Sequence, residues 1–447
     1  MTIWSPRLPE SDAPIYGRIA DALERDVRSG MLIPGSQLPT HRDLAKELGI
    51  TPVTVTRAYS EAARRGLVES STGRGTFVRA VRRDMATSEE LDLATNTVSI
   101  ALPAPSPAML QRAGSMLLNG TYAVGAGTER HRAAGAAWLG QAASLGKTDP
   151  ARVIVTAGTQ HALFLALAST TKPGDTVFAE ALTYHGVKAV AALLHLKLEP
   201  LPLDRYGLVP DALERAARGR SGKVLYTIPS LHNPTTIVMP EKRRREIAAI
   251  AERHGLTIVE DDVSGFLLDK TPPAIAAFAP DRTIFISGLG KAIAAGLRVG
   301  YLVAPDALLQ RVQSALNATV LFSSPVVAEL ATTWIEDGTA ARIAEQKRAE
   351  VQLRQRIARR MLRHEGGEPR AMHLWIELPK RWTADAFVEE ARRRRVRIAS
   401  ASSFAVTPEV PRAVRISIGA PGTIAELEAA LNVIAGIGEE RIHGPVV

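Results

Sequence analysis

TIFISGLGKAIAAGLRVGY, residues 283–301, decides how this chain is read. Its opening TIFIS is short and apolar, rich in β-branched residues, and has the composition of a buried strand. Lys291 stands just off the end of that strand, among glycines and alanines. In an open sheet of parallel strands, ligands bind at the carboxyl edge. A lysine delivered there by small residues is therefore a candidate for chemistry, although a lysine taken alone is more often a surface residue. Arg298 follows seven residues later, where it can return toward an anion held beside the lysine.

Working outward, similar runs occur at Val153–Thr156, Thr176–Ala179, Lys223–Ile228, Thr257–Glu260 and Val299–Val303, besides Thr283–Ser287 itself. Helical segments such as 159–170 and 241–254 lie between several of them. Strand–helix alternation predicts a mostly parallel sheet covered on both faces. The remainder, about 325–447, reads as a smaller α+β lobe. Two strand ends carry further signals. Ala157-Gly158-Thr159-Gln160 follows VIVT and opens a helix, which makes an anion site from backbone N–H groups and the helix dipole. Glu260-Asp261-Asp262 closes TIVE; no histidine cluster stands by these acids, so a charge partner for a ring nitrogen is preferred to a metal site. The run Arg392–Arg395 reads as a solvated helix face.

The first 80 residues differ in kind. Residues 15–29 put Ile15, Ile19, Leu23 and Val27 on one helical face. Residues 40–48 begin at Thr40, a cap, and stop at Gly49; residues 51–65 begin at Thr51-Pro52 and stop at Gly66. LVESSTGRGTFVRA (67–80) is a hairpin around Gly-Arg-Gly. Three helices and a hairpin make a winged helix-turn-helix, whose second helix enters the major groove by its N-terminal end. That end presents Thr51, Thr54 and Thr56, with Arg57 one turn on. Arg42 is placed to grip a phosphate, and Gly73 and Arg74 at the hairpin tip to reach the adjacent minor groove. Residues 81–95 are polar and unpatterned and read as a linker.

Composition narrows the classes. With 447 residues, 46% hydrophobic and 23% charged, the chain is long enough for several ordinary folded domains. It has neither an apolar run of membrane-spanning length nor a signal-peptide pattern. Cysteine is absent, which excludes disulfides and thiolate sites and suits a reducing cytoplasm. The net charge is +9, and residues 1–83 hold 13 Lys and Arg against 9 Asp and Glu, a balance that suits nucleic acid.

The ordered strings say more. Leu38-Pro39-Thr40, Arg42-Asp43-Leu44-Ala45, Leu48-Gly49, Ala58-Tyr59 and Gly75-Thr76-Phe77-Val78 resemble the GntR family of winged-helix regulators, with Pro52 where that family often has arginine. Residues 287–301 resemble the SKxxxPGLRxGY motif of fold-type-I aminotransferases, which use pyridoxal 5'-phosphate. The resemblance implies Lys291 as the Schiff-base residue and Arg298 as the phosphate arginine. It departs at Gly288 and Gly290, where that family has hydroxyls; Ser287 is the remaining one. Further matches imply Asp261 against the pyridine nitrogen, Asn233 in SLHNPTT at the ring oxygen, and Gly158 and Thr159 at the phosphate. They also imply Tyr184 stacked on the ring, Arg415 in AVRISIG on a substrate carboxylate, and Tyr122 reaching the partner subunit's phosphate. Ser264 stands where the family has a tyrosine.

Taken in order, the chain resembles the MocR branch of GntR regulators. That resemblance implies a DNA-binding domain at 1–80, a linker at 81–95 and an aminotransferase-like domain at 96–447, with a large lobe at about 130–320 and a small lobe at about 321–447. It implies a cytoplasmic homodimer, without membrane contact, reading paired half-sites on double-stranded DNA. The aminotransferase-like domain would sense an amine, an amino acid or a vitamin-B6 compound by aldimine exchange, with little turnover. The alternatives are a working aminotransferase with secondary DNA binding, and a regulator that has lost the cofactor.

Overall fold

The computed structural model describes residues 4–439 apart from 7, 9–13, 29–30, 33–35, 66, 72–74, 79–89, 101, 104, 119–124 and 220–221. The chain divides into two compact units, Met1–Ser88 with Ala101–Ser106, and Glu89–Ile100 with Pro107–Val447.

The first unit holds α1 (Ile15–Arg28), α2 (His41–Leu48), α3 (Pro52–Arg64), β1 (Val68–Ser71) and β2 (Gly75–Val78). Thr40 caps α2 by accepting from the Asp43 N–H at 3.2 Å, and Gly49 closes it at φ 63°, a left-handed turn that suits glycine. Thr51 caps α3 in the same way, and Pro52 takes the first helical position, where its missing N–H has no cost. Ile19, Leu23, Leu44, Val55, Ala58 and Tyr59 pack with Val68 and Val78 of the antiparallel β1–β2 hairpin. Ile15 lies outside this core and is exposed, so the apolar stripe of α1 is one residue shorter than its period predicts.

The second unit begins with β3 (Leu91–Asp92), α4 (Pro107–Leu118) and α5 (Glu129–Ala142). Alternation follows: β4 (Val153–Thr156), α6 (Thr159–Thr170), β5 (Thr176–Glu180), α7 (His185–Leu193), β6 (Lys197–Leu201) and the two-residue strands β7 (Leu203–Asp204) and β8 (Gly207–Leu208). Next come α8 (Pro210–Arg218), β9 (Gly222–Thr227), α9 (Glu241–His254), β10 (Thr257–Asp261), β11 (Thr283–Gly288), α10 (Leu289–Ala292) and β12 (Gly300–Val303). The chain ends with α11 (Asp306–Thr319), α12 (Pro325–Glu336), α13 (Thr339–Leu362), β13 (His373–Glu377), α14 (Ala384–Arg393), β14 (Val396–Arg397), β15 (Ala399–Ser400), β16 (Ala413–Ser417) and α15 (Ile424–Glu439). No helix among the described residues is long and apolar enough to cross a membrane.

The central sheet has seven strands in the order β4-β12-β11-β10-β9-β5-β6, with β12 antiparallel to both neighbours and the other pairings parallel. One face, with Ile154, Val177, Val224, Val259 and Ile284, packs on α6, α7 and α11. The other packs Phe285 and Tyr301 against α5 and α12, and Phe178, Leu225 and Ile258 against α8 and α9. Burial on both faces is why these strands read as unbroken apolar runs. Edge strand β6 breaks that pattern with exposed Lys197 and Pro200 and was not expected from the sequence.

Two expected boundaries shift. Residues 91–95, read as linker, belong to the fold: β3 pairs in parallel with β14, and Leu93 is fully buried in the small-lobe core. A two-residue strand is too short to show periodicity. The lobe boundary, expected near 321, falls inside α13. Ile343, Ala344 and Val351 pack in the large-lobe core, whereas Ile357 and Ala358 pack with Leu374 and Ile416.

At one sheet edge, three glycines let the start of α6 press against β11 and β12. A Cβ on Gly300 would lie 2.6 Å from Thr156 Oγ1 and 2.7 Å from the Gly158 carbonyl carbon. A Cβ on Gly288 would lie 2.9 Å from both Thr159 Cγ2 and the Val299 carbonyl oxygen. Gly158 itself adopts φ 92°. Gly300→Ala should therefore destabilise the unit by about 1–3 kcal/mol through overpacking. Gly290→Ala, whose Cβ would meet nothing closer than 3.9 Å, should stay within about 0.5 kcal/mol. Paired chemical-denaturation curves check both.

Candidate functional site

β5, β9, β10 and β11 pair in parallel, and β4, antiparallel to the antiparallel β12, runs the same way, so their carboxyl ends meet at one edge, each at or just before a residue singled out above. A cavity of about 380 Å³ opens there, lined by Thr159, Tyr184, Asn233, Asp261, Lys291 and, from β16, Arg415.

Lys291 sits at the end of the short α10, and its Nζ donates to the Asn96 carbonyl oxygen. Burial, together with Arg415, lowers its pKa to about 8. Asp261 is buried as well, and its Oδ2 accepts from the Tyr226 hydroxyl at 2.7 Å. Its Oδ1 has no hydrogen-bond partner. Burial pushes this carboxyl up to about 7, against the pull of the Tyr226 hydrogen bond and of Lys291. An unpaired buried carboxylate oxygen is costly and fits a donor arriving from the cavity. A protonated ring nitrogen is such a donor.

At the anion end, α6 starts at Gly158 with no side chain capping it. The Arg298 guanidinium lies against Gly158, where a Cβ would come within 2.8 Å of its Nη2. Uncapped helix N–H groups beside a guanidinium make a phosphate-sized anion site. Ser287, expected to supply a hydroxyl here, is buried on β11 and, like Gly158 and Arg298, is not among the residues lining the cavity; Thr159, next to Gly158, is. The packing of Gly288 against Thr159 explains why no side chain occupies that position. Gly290 faces open space, and Ser264 lines the cavity wall where a tyrosine was the family expectation. Tyr184 is partly buried beside it, and a Cβ on Gly186 would collide with the Tyr184 ring at 2.1 Å, so that glycine is what leaves the ring its place. Tyr122 lies outside the described residues.

Arg415 is 3% exposed. Its Nη1 donates to Asn233 Oδ1 at 2.9 Å, its Nη2 to the Ala94 carbonyl, and its guanidinium carbon lies 4.8 Å from the Phe404 ring centre. Its Nε has no partner, and burial lowers its pKa to about 10. A guanidinium held by carbonyl oxygens and an aromatic face has donors to spare for a carboxylate. Tyr226, Phe404 and the carbonyls of Ala94 and Asn96 escaped sequence reasoning. Only the strand order, which puts Tyr226 beside Val259, could have found the first; backbone carbonyls leave no sequence signal.

In the first unit, Arg42 and Arg57 are exposed. The three threonines are engaged locally: Thr51 Oγ1 and Thr54 Oγ1 are 2.9 Å apart, and Thr56 Oγ1 donates to the Pro52 carbonyl at 3.0 Å. Gly73 and Arg74 lie outside the described residues.

Residues 88–434 match the family Aminotransferase class I and II, and residues 15–78 match the bacterial regulatory proteins of the gntR family. A Bacillus subtilis protein described as an uncharacterized HTH-type transcriptional regulator, YdeF, is 32% identical over 444 residues, covering 96% of each chain. The chain belongs to the MocR-type GntR regulators. This MocR-type regulator is also similar to the pyridoxine biosynthesis transcriptional regulator PdxR of Corynebacterium glutamicum, at 27% identity over 315 residues, 66% of this chain and 67% of that one. Its large unit shares the fold of an archaeal alanine:glyoxylate aminotransferase, with a TM-score of 0.70 at 22% identity, covering 79% of this chain and 91% of that one.

The Tyr226–Asp261 contact makes a pH-dependent prediction. Asp261 is raised above its unfolded value, so it favours folding at low pH and that contribution is lost as pH rises toward about 7. Tyr226→Phe removes the hydrogen bond that restrains this rise and extends the loss above pH 7. The variant should therefore be destabilised more at pH 8 than at pH 6, by about 1.5–3 kcal/mol at the higher pH. Denaturation at the two pH values measures it.

Proposed function

We propose that this MocR-type regulator binds pyridoxal 5'-phosphate at Lys291 and senses an amine, an amino acid or a vitamin-B6 compound there, changing how its head engages DNA. The observation that carries the reading is that Asp261, whose buried Oδ1 has no partner, lines the same cavity as Lys291. When bound, the cofactor supplies an aldehyde for amines and an electron-withdrawing ring. Lys291 offers the amine that holds the aldehyde, and Asp261 keeps the ring nitrogen protonated. Asn233 steadies the ring oxygen, Tyr184 covers the ring face, and Gly158, Thr159 and Arg298 take the phosphate. Arg415 clamps a ligand carboxylate. Tyr122 from the partner subunit completes the phosphate site in a homodimer, whose two heads read paired half-sites on double-stranded DNA.

Sensing is favoured over turnover by what the two cations touch. Lys291 and Arg415 both donate to carbonyls of residues 94–96, immediately after the segment that follows the head. A ligand that engages either cation displaces those carbonyls, so occupancy is felt by the chain leading to the DNA-binding unit. Turnover also needs a ring held rigidly while a proton moves. Ser264 and Gly290 each leave out a donor to the ring or its phosphate. Each such bond to a charged group is worth about 1.5–3 kcal/mol, or roughly ten- to a hundredfold.

The purified protein with added pyridoxal phosphate should show a visible absorbance band that borohydride fixes and Lys291→Ala abolishes. Because Lys291 must shed its proton to react, the band should form faster as pH rises and level off above about 8. Absence of any band with excess cofactor would favour the cofactor-free regulator, and rapid transamination of a common amino acid would favour the enzyme. Arg42→Ala should weaken binding to all duplexes and reduce the salt slope by about one, which binding isotherms at several salt concentrations would read.

A further inference from the structure

Beyond the threonines, the start of α3 carries a side chain that the fold of the head does not use. Val53 is 64% exposed in the first helical turn, while Val55, two residues on, is fully buried in the core. Leaving a β-branched apolar residue in water at this point gains nothing for the helix, since such residues are weaker helix formers than alanine. The neighbouring hydroxyls are already engaged. Thr51 Oγ1 accepts from the Thr54 N–H at 3.3 Å and pairs with Thr54 Oγ1, and Thr56 Oγ1 donates to Pro52 and lies 3.3 Å from His41 Nδ1. The outward face of this turn is therefore Val53, with exposed Arg57 one turn further along the same face.

In the major groove, the thymine C5-methyl is the apolar group that base edges present, and guanine O6 and N7 are the acceptors that suit a guanidinium. We propose that Val53 reads a thymine methyl and Arg57 a guanine close to it. Side chains at i and i+4 are about 6 Å apart on a helix, which spans roughly two base-pair steps. The operator half-site should therefore pair a thymine with a guanine within about two base pairs. This assignment moves sequence discrimination from the threonine hydroxyls to an apolar contact, and it rests on α3 entering the major groove.

The test uses the full-length protein and a duplex that it selects from a random-sequence pool. Each thymine of that duplex is replaced singly by uracil, which lacks only the methyl, and affinities are measured for the wild type and for Val53→Ala. One thymine per half-site should lose about four-fold in affinity for the wild type on replacement, the effect of one buried methyl. Val53→Ala should bind the thymine and uracil duplexes equally. Replacing the nearby guanine by 7-deazaguanine should weaken the wild type and leave Arg57→Ala unchanged. Alanine at this exposed position should fold normally, which an unchanged thermal melt confirms. Uracil penalties that are identical in the wild type and Val53→Ala would overturn the Val53 assignment while leaving the regulator reading intact. Failure to select any preferred sequence would overturn both.

Discussion

Parallel strand pairing is the constraint on which the large unit depends. Because β4, β5, β9, β10 and β11 run the same way, their carboxyl ends meet at one edge, and apolar side chains fill both faces. Polar chemistry has room only in the loops at that edge. There Thr159, Tyr184, Asn233, Asp261 and Lys291 converge from positions spread over more than a hundred residues. β12 is antiparallel, yet it serves the same end. Inserted between β4 and β11, it puts Gly300 under the start of α6 and lets that helix end, with Arg298 beside it, approach the cavity.

The convergence buries charge without fully pairing it. Asp261 keeps one oxygen unpartnered, Arg415 keeps an unpartnered Nε, and Lys291 rests on a single carbonyl. Burial shifts all three toward their neutral forms, which lowers the lysine and the arginine and raises the aspartate. Groups left this way favour a ligand that brings both a carboxylate and a ring donor, and each gains more from that ligand than it would from water. The segment 91–96 links this charge balance to the rest of the chain. It is anchored by β3 on β14 and by buried Leu93, and its carbonyls hold the two cations.

How much of this was legible in the sequence follows from burial. Each of the six β-branched runs lies within one residue of an observed strand, because those strands are buried on both faces and carry no alternation to confuse. β6, with Pro200, and the two-residue β3 carried no such signal. The lobe boundary was hidden because α13 is one continuous helix whose two halves face different cores. Asp261 and Lys291 lie at or just past strand ends and line the cavity, whereas Arg415, in the middle of β16, carried no such positional signal and came from the resemblance alone. Whether Ser287 turns toward that cavity depends on register, which composition does not carry. Tyr226 depends on which strands are neighbours, and the carbonyls of Ala94 and Asn96 have no residue identity to read. In the head, the caps at Thr40 and Thr51 were legible; the cap at Thr51 also engages Thr54, while the third hydroxyl expected to face DNA, that of Thr56, bonds back to the Pro52 carbonyl.

If the occupant of Lys291 is felt at the DNA, operator affinity must respond to it. The decisive measurement is the operator affinity of the full-length protein with and without saturating pyridoxal phosphate, for the wild type and for Lys291→Ala. The wild-type affinity should shift with the cofactor while that of Lys291→Ala stays constant. Equal affinities in all four conditions, with the cofactor demonstrably bound to the wild type, would contradict it.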